Sequence, residues 1–166
     1  MELDRNDRVK CLSRLCRTFR EAIDSAIERG DFIKDRLFGR FPCGCCDEAC
    51  DLLQLFFAKQ GIESTPVRGE WIGADLEDGC PHVWVALEGN LIADITGDQF
   101  LYGPVPVRCS DISYVGPLDS FHAQFGTPCV LPRLETYPAE RLEKVIERYE
   151  IIVRYMNNDV HVKDSG

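Results

Sequence analysis

One stretch restricts the fold of this chain more than any other: PHVWVALEGNLIADITGDQF, at residues 81–100. Two apolar runs flank the turn Glu88-Gly89-Asn90, and this pattern indicates a β-hairpin. The length of the turn decides which side chains share a face, because a shift of the register by one residue moves every side chain of a strand to the other face. A two-residue loop at Gly89-Asn90 places His82 and Asp94 on opposite faces, whereas a three-residue loop places them on the same face.

Hydrophobic patterning selects the three-residue loop, with Asn90 in the left-handed conformation. One face then carries only apolar residues, in the pairs Leu87–Leu91, Val85–Ala93 and Val83–Ile95. The other face carries His82, Trp84, Ala86, Ile92, Asp94 and Thr96. His82 and Asp94 become diagonal neighbours about 7–8 Å apart, so an imidazole–carboxylate hydrogen bond is within reach. A histidine at the start of a strand is more often a boundary residue than a catalyst, so the pair by itself is a candidate site only.

The rest of the pattern predicts an α+β domain, with N-terminal helices packed against an antiparallel β-sheet and a C-terminal helix. Apolar residues at helical spacing predict helices at 7–29, 45–60 and 138–156. Alternating or apolar runs predict strands at 64–67, 82–87 and 91–95, with a polar loop at 73–79. The segment 99–132 is rich in proline and glycine, which predicts irregular structure with one or two short strands, such as 105–108. We expect one domain over residues 1–166, with a frayed polar tail at 157–166.

Charge and composition exclude several classes of function. The 166 residues have a net charge of -9, with 45% hydrophobic and 28% charged residues, as in an ordinary soluble protein. No cluster of Lys and Arg is present to neutralise phosphates, so we expect no nucleic-acid partner. No run approaches the roughly 20 apolar residues that span a bilayer, and the N-terminus MELDRNDRVK is not a secretory signal, so we expect no membrane partner. The odd count of nine cysteines without an export signal predicts free thiols and a cytoplasmic protein.

Four of the nine cysteines lie within eight residues, in FPCGCCDEAC at 41–50. Cys45 and Cys46 both lie at the start of the predicted second helix, where unsatisfied N–H groups and the helix dipole favour a thiolate and can hold an oxyanion. A helical wheel places both about 50° from the centre of the apolar face, so helical geometry leaves either one as the nucleophile. The two acidic residues that follow them oppose a thiolate.

The other thiols of the stretch permit different interpretations. Cys50 is predicted to be a small buried residue, and Cys43 is either exposed or packed. A zinc site is an open alternative because Cys46 and Cys50 have the one-turn spacing of paired ligands, but no second Cys/His pair follows. Disulfides are disfavoured because neighbouring cysteines close poorly. The sequence therefore predicts no metal and no other cofactor.

Four short motifs resemble a known superfamily. They are F-P-x-G-x-C at 41–46, the amphipathic helix that follows, H-V-W-V at 82–85 and D-I-T at 94–96. Over about 41–100 the chain is similar to the papain-like, transglutaminase-like superfamily, which includes transglutaminases, arylamine N-acetyltransferases and bacterial cysteine peptidases.

That resemblance implies a papain-like/transglutaminase-like core, in which a helix carrying the cysteine packs against an antiparallel sheet carrying the histidine and the aspartate. It also implies a Cys–His–Asp triad. The spacing after Gly44 makes Cys46 the nucleophile, His82 the base and Asp94 the carboxylate that orients the histidine.

We therefore expect a thiol-dependent hydrolase or acyl transferase that acts on an amide bond through an acyl-enzyme, as a peptidase, a deamidase or a transglutaminase-like enzyme does. Its substrate would be a peptide, a protein or a small amide. Simple hydrolysis is favoured, because 166 residues leave no room for the extra domains of large transglutaminases or the lid of the acetyltransferases.

Other residues are given secondary roles. Trp71, Trp84 and Gln99 are candidate substrate-binding residues, and core packing is the alternative for the tryptophans. His122 and His161 have no partner recognisable in the sequence and are predicted to be surface histidines. Two alternative functions stay open: a non-catalytic binding or regulatory domain of the same fold, and a cysteine-rich zinc or redox module.

Overall fold

Five strands form one antiparallel sheet in the computed structural model, which describes residues 4–73, 79–109 and 111–158. The strands are β1 (Ser64–Trp71), β2 (Cys80–Leu87), β3 (Leu91–Asp94), β4 (Tyr114–Gly116) and β5 (Cys129–Val130). Their order across the sheet is β4-β3-β2-β1-β5, and every neighbouring pair is antiparallel. The two strands of the predicted hairpin, β2 and β3, therefore lie in the interior of the sheet.

Among the described residues, four α-helices accompany the sheet, and the predicted α+β class is confirmed. They are α1 (Arg5–Glu28), α2 (Cys46–Lys59), α3 (Ser120–Ala123) and α4 (Ala139–Asn158). The three long helices begin and end within two residues of their predicted limits. Asp4 caps α1 by accepting from two backbone N–H groups, and Gly61, with a φ of 71°, follows the end of α2. None of the described helices is both long and apolar enough to cross a membrane.

The hairpin has the register that hydrophobic patterning predicts. Leu87 pairs with Leu91 and Val85 pairs with Ala93, and Asn90 has a positive φ of 56°. The third predicted pair, Val83–Ile95, is not part of the ladder, because β3 ends at Asp94.

The two faces of the hairpin pack in different hydrophobic clusters. The apolar face lies in the main core with α1, α2 and α4. In that core, Phe19 of α1 stacks on Phe56 of α2 with ring centroids 4.5 Å apart. The opposite face packs in a second cluster, which contains Val67, Trp84, Ile92, Phe100, Val105, Phe121 and Phe125. Polar side chains on that second face are therefore buried as well.

The segment 99–132 contains short strands, as predicted, but not at the position given for one of them. The predicted strand at 105–108, all described residues, is wrong: Val105 is instead buried in the second cluster, and β4, α3 and β5 occur elsewhere in the segment. These elements have two to four residues, too few for a periodic pattern to reveal them.

Two predicted features fall partly outside the described residues. Helix α4 continues to Asn158, and the remainder of the predicted tail, residues 159–166, lies outside them. Residues 74–78 of the predicted polar loop also lie outside them. The extent of a single domain over 1–166 stays a prediction.

Candidate active site

His82 and Asp94 are hydrogen-bonded to each other in the interior of the sheet. His82 is the third residue of β2 and Asp94 is the last residue of β3. His82 Nε2 lies 2.7 Å from Asp94 Oδ2, and both side chains are buried. The contact expected from the hairpin register is therefore confirmed.

The carboxylate of Asp94 has partners on both oxygens. Oδ1 accepts hydrogen bonds from the Thr96 N–H at 2.8 Å and the Thr96 hydroxyl at 3.1 Å. Oδ2 faces the Nε2 atoms of His82 and, at 3.1 Å, of His122. Burial alone raises the pKa of a carboxyl group, but the two imidazoles outweigh it and hold the pKa of Asp94 well below its usual range. Asp94 is thus an oriented carboxylate.

His122 is the site residue that the sequence interpretation missed. The prediction of a surface histidine was wrong, because His122 is fully buried and its Nδ1 lies 2.6 Å from Asp119 Oδ1. The same oxygen accepts from the His122 N–H at 2.9 Å, so Asp119 caps α3. An Asp three residues before a His is an N-cap signal, but nothing local shows that this helix folds onto Asp94. The other histidine predicted to be exposed, His161, lies outside the described residues.

Cys46 is the first residue of α2, and Cys45 is the N-cap before it. The backbone N–H of Val83 acts to lower the pKa of the Cys46 thiol, so this thiol lies near the residue that follows His82. Cys45 is fully buried in the main core, and burial is the main reason that its pKa rises to about 12. The structure therefore distinguishes two thiols that a helical wheel does not, and Cys46 is the one next to the histidine strand.

The Cys46 thiol is protonated at neutral pH in this arrangement. Burial first, and then the negative charge of Asp47, raise its pKa to about 11, against the opposing effect of backbone N–H donors. Cys50, one turn later, is buried, and its thiol lies 3.5 Å from a backbone carbonyl oxygen, in keeping with the predicted packing role. All nine cysteines are free, and Cys43 is exposed.

Gln99 connects the loop before Cys46 with His82. Its Oε1 accepts from the Gly44 N–H at 3.3 Å, and its Nε2 donates to the Thr96 carbonyl oxygen at 3.1 Å. The same Nε2 lies 3.5 Å from His82 Nδ1, the ring nitrogen that does not face Asp94. In the described part of the chain the Cys46 sulfur makes no hydrogen bond to His82, and Gln99 is the polar neighbour of Nδ1.

A buried arginine of α1 holds the segment that follows β3. Arg20 is 4% exposed, and its guanidinium contacts both carboxylate oxygens of Asp98 at 2.8 Å. It also donates to the carbonyl oxygens of Ile95 at 2.7 Å and Ile112 at 3.0 Å. Helix α1 thus fixes the short 3-10 helix Gly97–Phe100, which carries the glutamine of the site.

The two tryptophans proposed for substrate binding differ in exposure. Trp84 is buried, and its ring centroid lies 5.1 Å from that of His122 and 5.5 Å from that of His82. Trp71, the last residue of β1, is half-buried, and its ring covers Gly73. Trp84 packs against both imidazoles. A role of Trp71, Trp84 and Gln99 in binding a substrate stays a prediction.

Three side chains of the site also have the composition of a metal site. The nearest nitrogen and oxygen atoms of His82, Asp94 and His122 lie within 4.8 Å of one another. However, Nε2 of His82 and Nε2 of His122 both lie at hydrogen-bond distance from Oδ2 of Asp94. These distances are those of N–H···O hydrogen bonds. We therefore assign the three to a hydrogen-bond network. For the cysteine-based zinc alternative, the described residues contain no suitable group of ligands.

What this arrangement can do chemically follows from its own geometry: an oriented carboxylate, an imidazole with one nitrogen turned away from it, and a thiol at a helix start. Comparison with known proteins gives no match, since no family model fits the chain and no curated protein or solved structure is significantly similar to it.

Proposed function

We propose that this chain is a thiol-dependent hydrolase or acyl transferase that acts on an amide bond through Cys46, His82 and Asp94. The observation that carries the proposal is the buried His82–Asp94 hydrogen bond, next to Val83, whose N–H acts to lower the pKa of the Cys46 thiol. A thiol at a helix start, an imidazole and an orienting carboxylate are the groups that nucleophilic thiol chemistry needs. A papain-like or transglutaminase-like core belongs to the same proposal, because the helix that begins at the cysteine packs on the strand of the histidine, which is paired with the strand of the aspartate.

Asp94 defines which nitrogen of His82 is the base. An ionised carboxylate only accepts hydrogen bonds, so the His82 Nε2 that faces it carries a proton. Nδ1 of the neutral ring is then unprotonated and can take the thiol proton of Cys46. The buried carboxylate also stabilises the positive charge that this transfer places on the imidazole.

The reaction has two halves. The S–H bond of Cys46 breaks, its proton goes to His82 Nδ1, and the sulfur attacks the carbonyl carbon while the C=O electron pair moves onto oxygen. The first N–H groups of α2, which lack partners within the helix, would stabilise that oxyanion. The amine leaves with the proton from His82, and a thioester remains. Water deprotonated by His82 releases the acid and restores the thiol, and an amine in place of water gives transfer.

Binding of a substrate has to rearrange the resting site. The Cys46 thiol has a pKa raised to about 11 by burial and Asp47, and the Gln99 amide faces the base nitrogen. The amide must leave Nδ1 before the thiol proton can reach it. We therefore expect the thiol to become reactive when a ligand displaces Gln99.

The same contacts favour a second candidate, a non-catalytic binding or regulatory domain of the same fold. In such a domain Gln99 would stay bound to His82, and Cys46 would remain an unreactive thiol with a raised pKa. The hydrogen bond between His82 and Asp94 would then serve only to satisfy two buried polar groups.

Iodoacetamide labelling read by mass spectrometry separates the two candidates. Iodoacetamide is itself a small amide, so in an enzyme we expect it to displace the Gln99 amide from His82 Nδ1. Cys46 then reacts at pH 7 faster than the exposed thiol of Cys11, because His82 accepts its proton. The variant His82→Ala should slow Cys46 labelling about tenfold or more and leave Cys11 unchanged.

Two cysteine variants serve as matched controls for this experiment. Cys46→Ser should remove the fast site, whereas Cys45→Ser should keep it. Equal labelling of Cys46 and Cys11, unaffected by His82→Ala, would contradict the enzyme and support the binding domain.

A further inference from the structure

Four buried or half-buried side chains form one continuous row of hydrogen bonds. Asp119 contacts His122 Nδ1 at 2.6 Å, His122 Nε2 contacts Asp94 at 3.1 Å, and Asp94 contacts His82 Nε2 at 2.7 Å. Carboxylates and imidazoles alternate along the row, so the number of protons it holds decides which ring is charged.

The contacts of His122 require a proton on each of its nitrogens. Nδ1 faces the carboxylate of Asp119 and Nε2 faces that of Asp94, and a carboxylate can only accept. Burial alone would lower the pKa of His122, but the two carboxylates raise it to about 9. At neutral pH His122 is therefore an imidazolium.

The contacts of His82 require a proton on one nitrogen only. Its Nε2 faces Asp94, while its Nδ1 faces Nε2 of Gln99. The orientation of that amide is fixed independently, because its oxygen accepts from Gly44 and its nitrogen donates to the Thr96 carbonyl. Nδ1 of His82 is thus the acceptor, and the ring is neutral.

Neighbouring groups do not alter this distribution of charge. Among the described residues, the rings of His82 and Tyr114 lie near His122, and Cys109 lies near the carboxylates of Asp94 and Asp119. Burial raises the pKa of Tyr114, and it raises that of Cys109 to about 11, so both are neutral at pH 7. One imidazolium is then what balances the buried charge of Asp94.

We propose that His122 is a positioning residue that holds the proton of this buried row and so leaves Nδ1 of His82 free to act as the base. Without a second imidazole, Asp94 would be neutralised by protonation of His82, and a protonated imidazole cannot accept the thiol proton. The second carboxylate, Asp119, makes His122 rather than His82 the site of the charge. The consequence for the base rests on the proposed function of Cys46, but the location of the proton does not.

NMR of protein with isotope-labelled histidine nitrogens tests the location directly. The variants His122→Gln and His161→Gln assign the signals of the three histidines. At pH 7 we expect His122 with both nitrogens protonated and His82 with only Nε2 protonated. The reverse distribution, or two neutral rings, would overturn the proposal whatever the activity of Cys46.

His122→Gln also tests the consequence for the base. A glutamine can still donate to Asp94 but cannot carry charge, so the proton should move to His82, whose ring centroid lies 6.0 Å from that of His122. The acidic limb of the pH profile of Cys46 labelling should then move up by about one to two pH units. A packing defect alone would change the rate of Cys46 labelling at every pH without shifting the acidic limb of the profile. That result would contradict the proposal.

Asp119→Asn is the matched variant in case His122→Gln does not fold. Asparagine keeps the helix cap and an acceptor for His122 Nδ1, but it removes the charge. We expect the pKa of His122 to fall below about 9 and the acidic limb to shift in the same direction by a smaller amount. If Cys46 labelling does not depend on His82 at all, the proposed function fails while the NMR result still decides where the proton lies.

Discussion

An asparagine at position 94 can satisfy only one side of the hydrogen-bond network around it. Both oxygens of Asp94 face donors, Thr96 on one side and the two imidazoles on the other. Asparagine has one acceptor oxygen and one NH₂ donor. With its NH₂ turned to His82, it would force the ring proton onto Nδ1, the nitrogen that has to be free in the proposed reaction. With its NH₂ turned the other way, it would face the N–H of Thr96.

We therefore expect Asp94→Asn to slow the labelling of Cys46 by iodoacetamide about a hundredfold or more, because the base is in the wrong tautomer. The thermal midpoint should also fall, since one buried donor loses its acceptor. Asp7→Asn, at an exposed aspartate of α1, is the control and should change neither quantity. Fast labelling of Cys46 in Asp94→Asn would show that the carboxylate does not orient the base.

At the scale of elements, the contact of α1 with the end of β3 brings distant parts of the chain together. The guanidinium of Arg20 satisfies Asp98 and two backbone carbonyl oxygens, and it lies over the ring of Phe41 with 4.7 Å between its central carbon and the ring centroid. The cysteine loop begins at Phe41, and the 3-10 helix with Gln99 contains Asp98. One side chain of α1 thus contacts both the segment that leads to Cys46 and the 3-10 helix that carries Gln99.

Removing this guanidinium leaves the half-buried carboxylate of Asp98 and two carbonyl oxygens without their partner. Arg20→Met should lower the free energy of unfolding by about 3–5 kcal/mol, measured by urea denaturation. Arg20→Lys keeps the charge but loses the two-pronged contact, so its loss should be smaller. Arg17→Met removes an exposed arginine of the same helix and should stay within about 0.5 kcal/mol of the parent. Equal losses for Arg17→Met and Arg20→Met would contradict the role of Arg20.

The hairpin could be predicted because its determinants are local. A period of two in the apolar residues and a turn with Asn90 at positive φ fix the register, and the register brings His82 to Asp94. The start of α2 was predictable for the same reason, and with it the position of Cys46.

The contacts of His122 and Arg20 could not be predicted in this way. His122 reaches Asp94 from 28 residues away through a segment of prolines, glycines and two- to four-residue elements, where no period marks the path of the chain. Arg20 has an ordinary place in an amphipathic helix, and its partners Ile95 and Ile112 accept through backbone atoms that leave no mark in the sequence. Long-range polar contacts of this kind depend on the completed packing of the sheet.

At the scale of the whole molecule, buried titratable groups make stability depend on pH. The pKa of His122 rises from its ordinary 6.5 to about 9 in the fold. Its stabilising contribution is therefore complete below pH 6.5 and is lost as the pH rises through 9. The buried thiols of Cys45 and Cys50 have pKa values raised above 9, so they weaken the fold in a separate range, above pH 9.

We expect the free energy of unfolding to fall by about 2–3 kcal/mol between pH 6.5 and 8.5, from the pKa difference of His122. Urea denaturation under reducing conditions measures it, and most of this range lies below the pH at which the thiols of the unfolded chain ionise. Asp119→Asn should reduce the fall, because the remaining carboxylate raises the pKa of His122 less. An equal fall in Asp119→Asn would mean that another group causes the dependence.

The two halves of the candidate site belong to parts of the molecule that open at different free energies. His82 and Asp94 lie in strands with a neighbour on each side, so their contact is lost only with the sheet itself. Cys46 lies in the first turn of a helix and Gln99 in a four-residue 3-10 helix, and such segments open locally at little cost. The reactivity proposed for Cys46 can therefore be lost while calorimetry or a circular dichroism spectrum still reports a folded protein. Spectroscopic integrity of a preparation would say nothing about how many of its molecules can react.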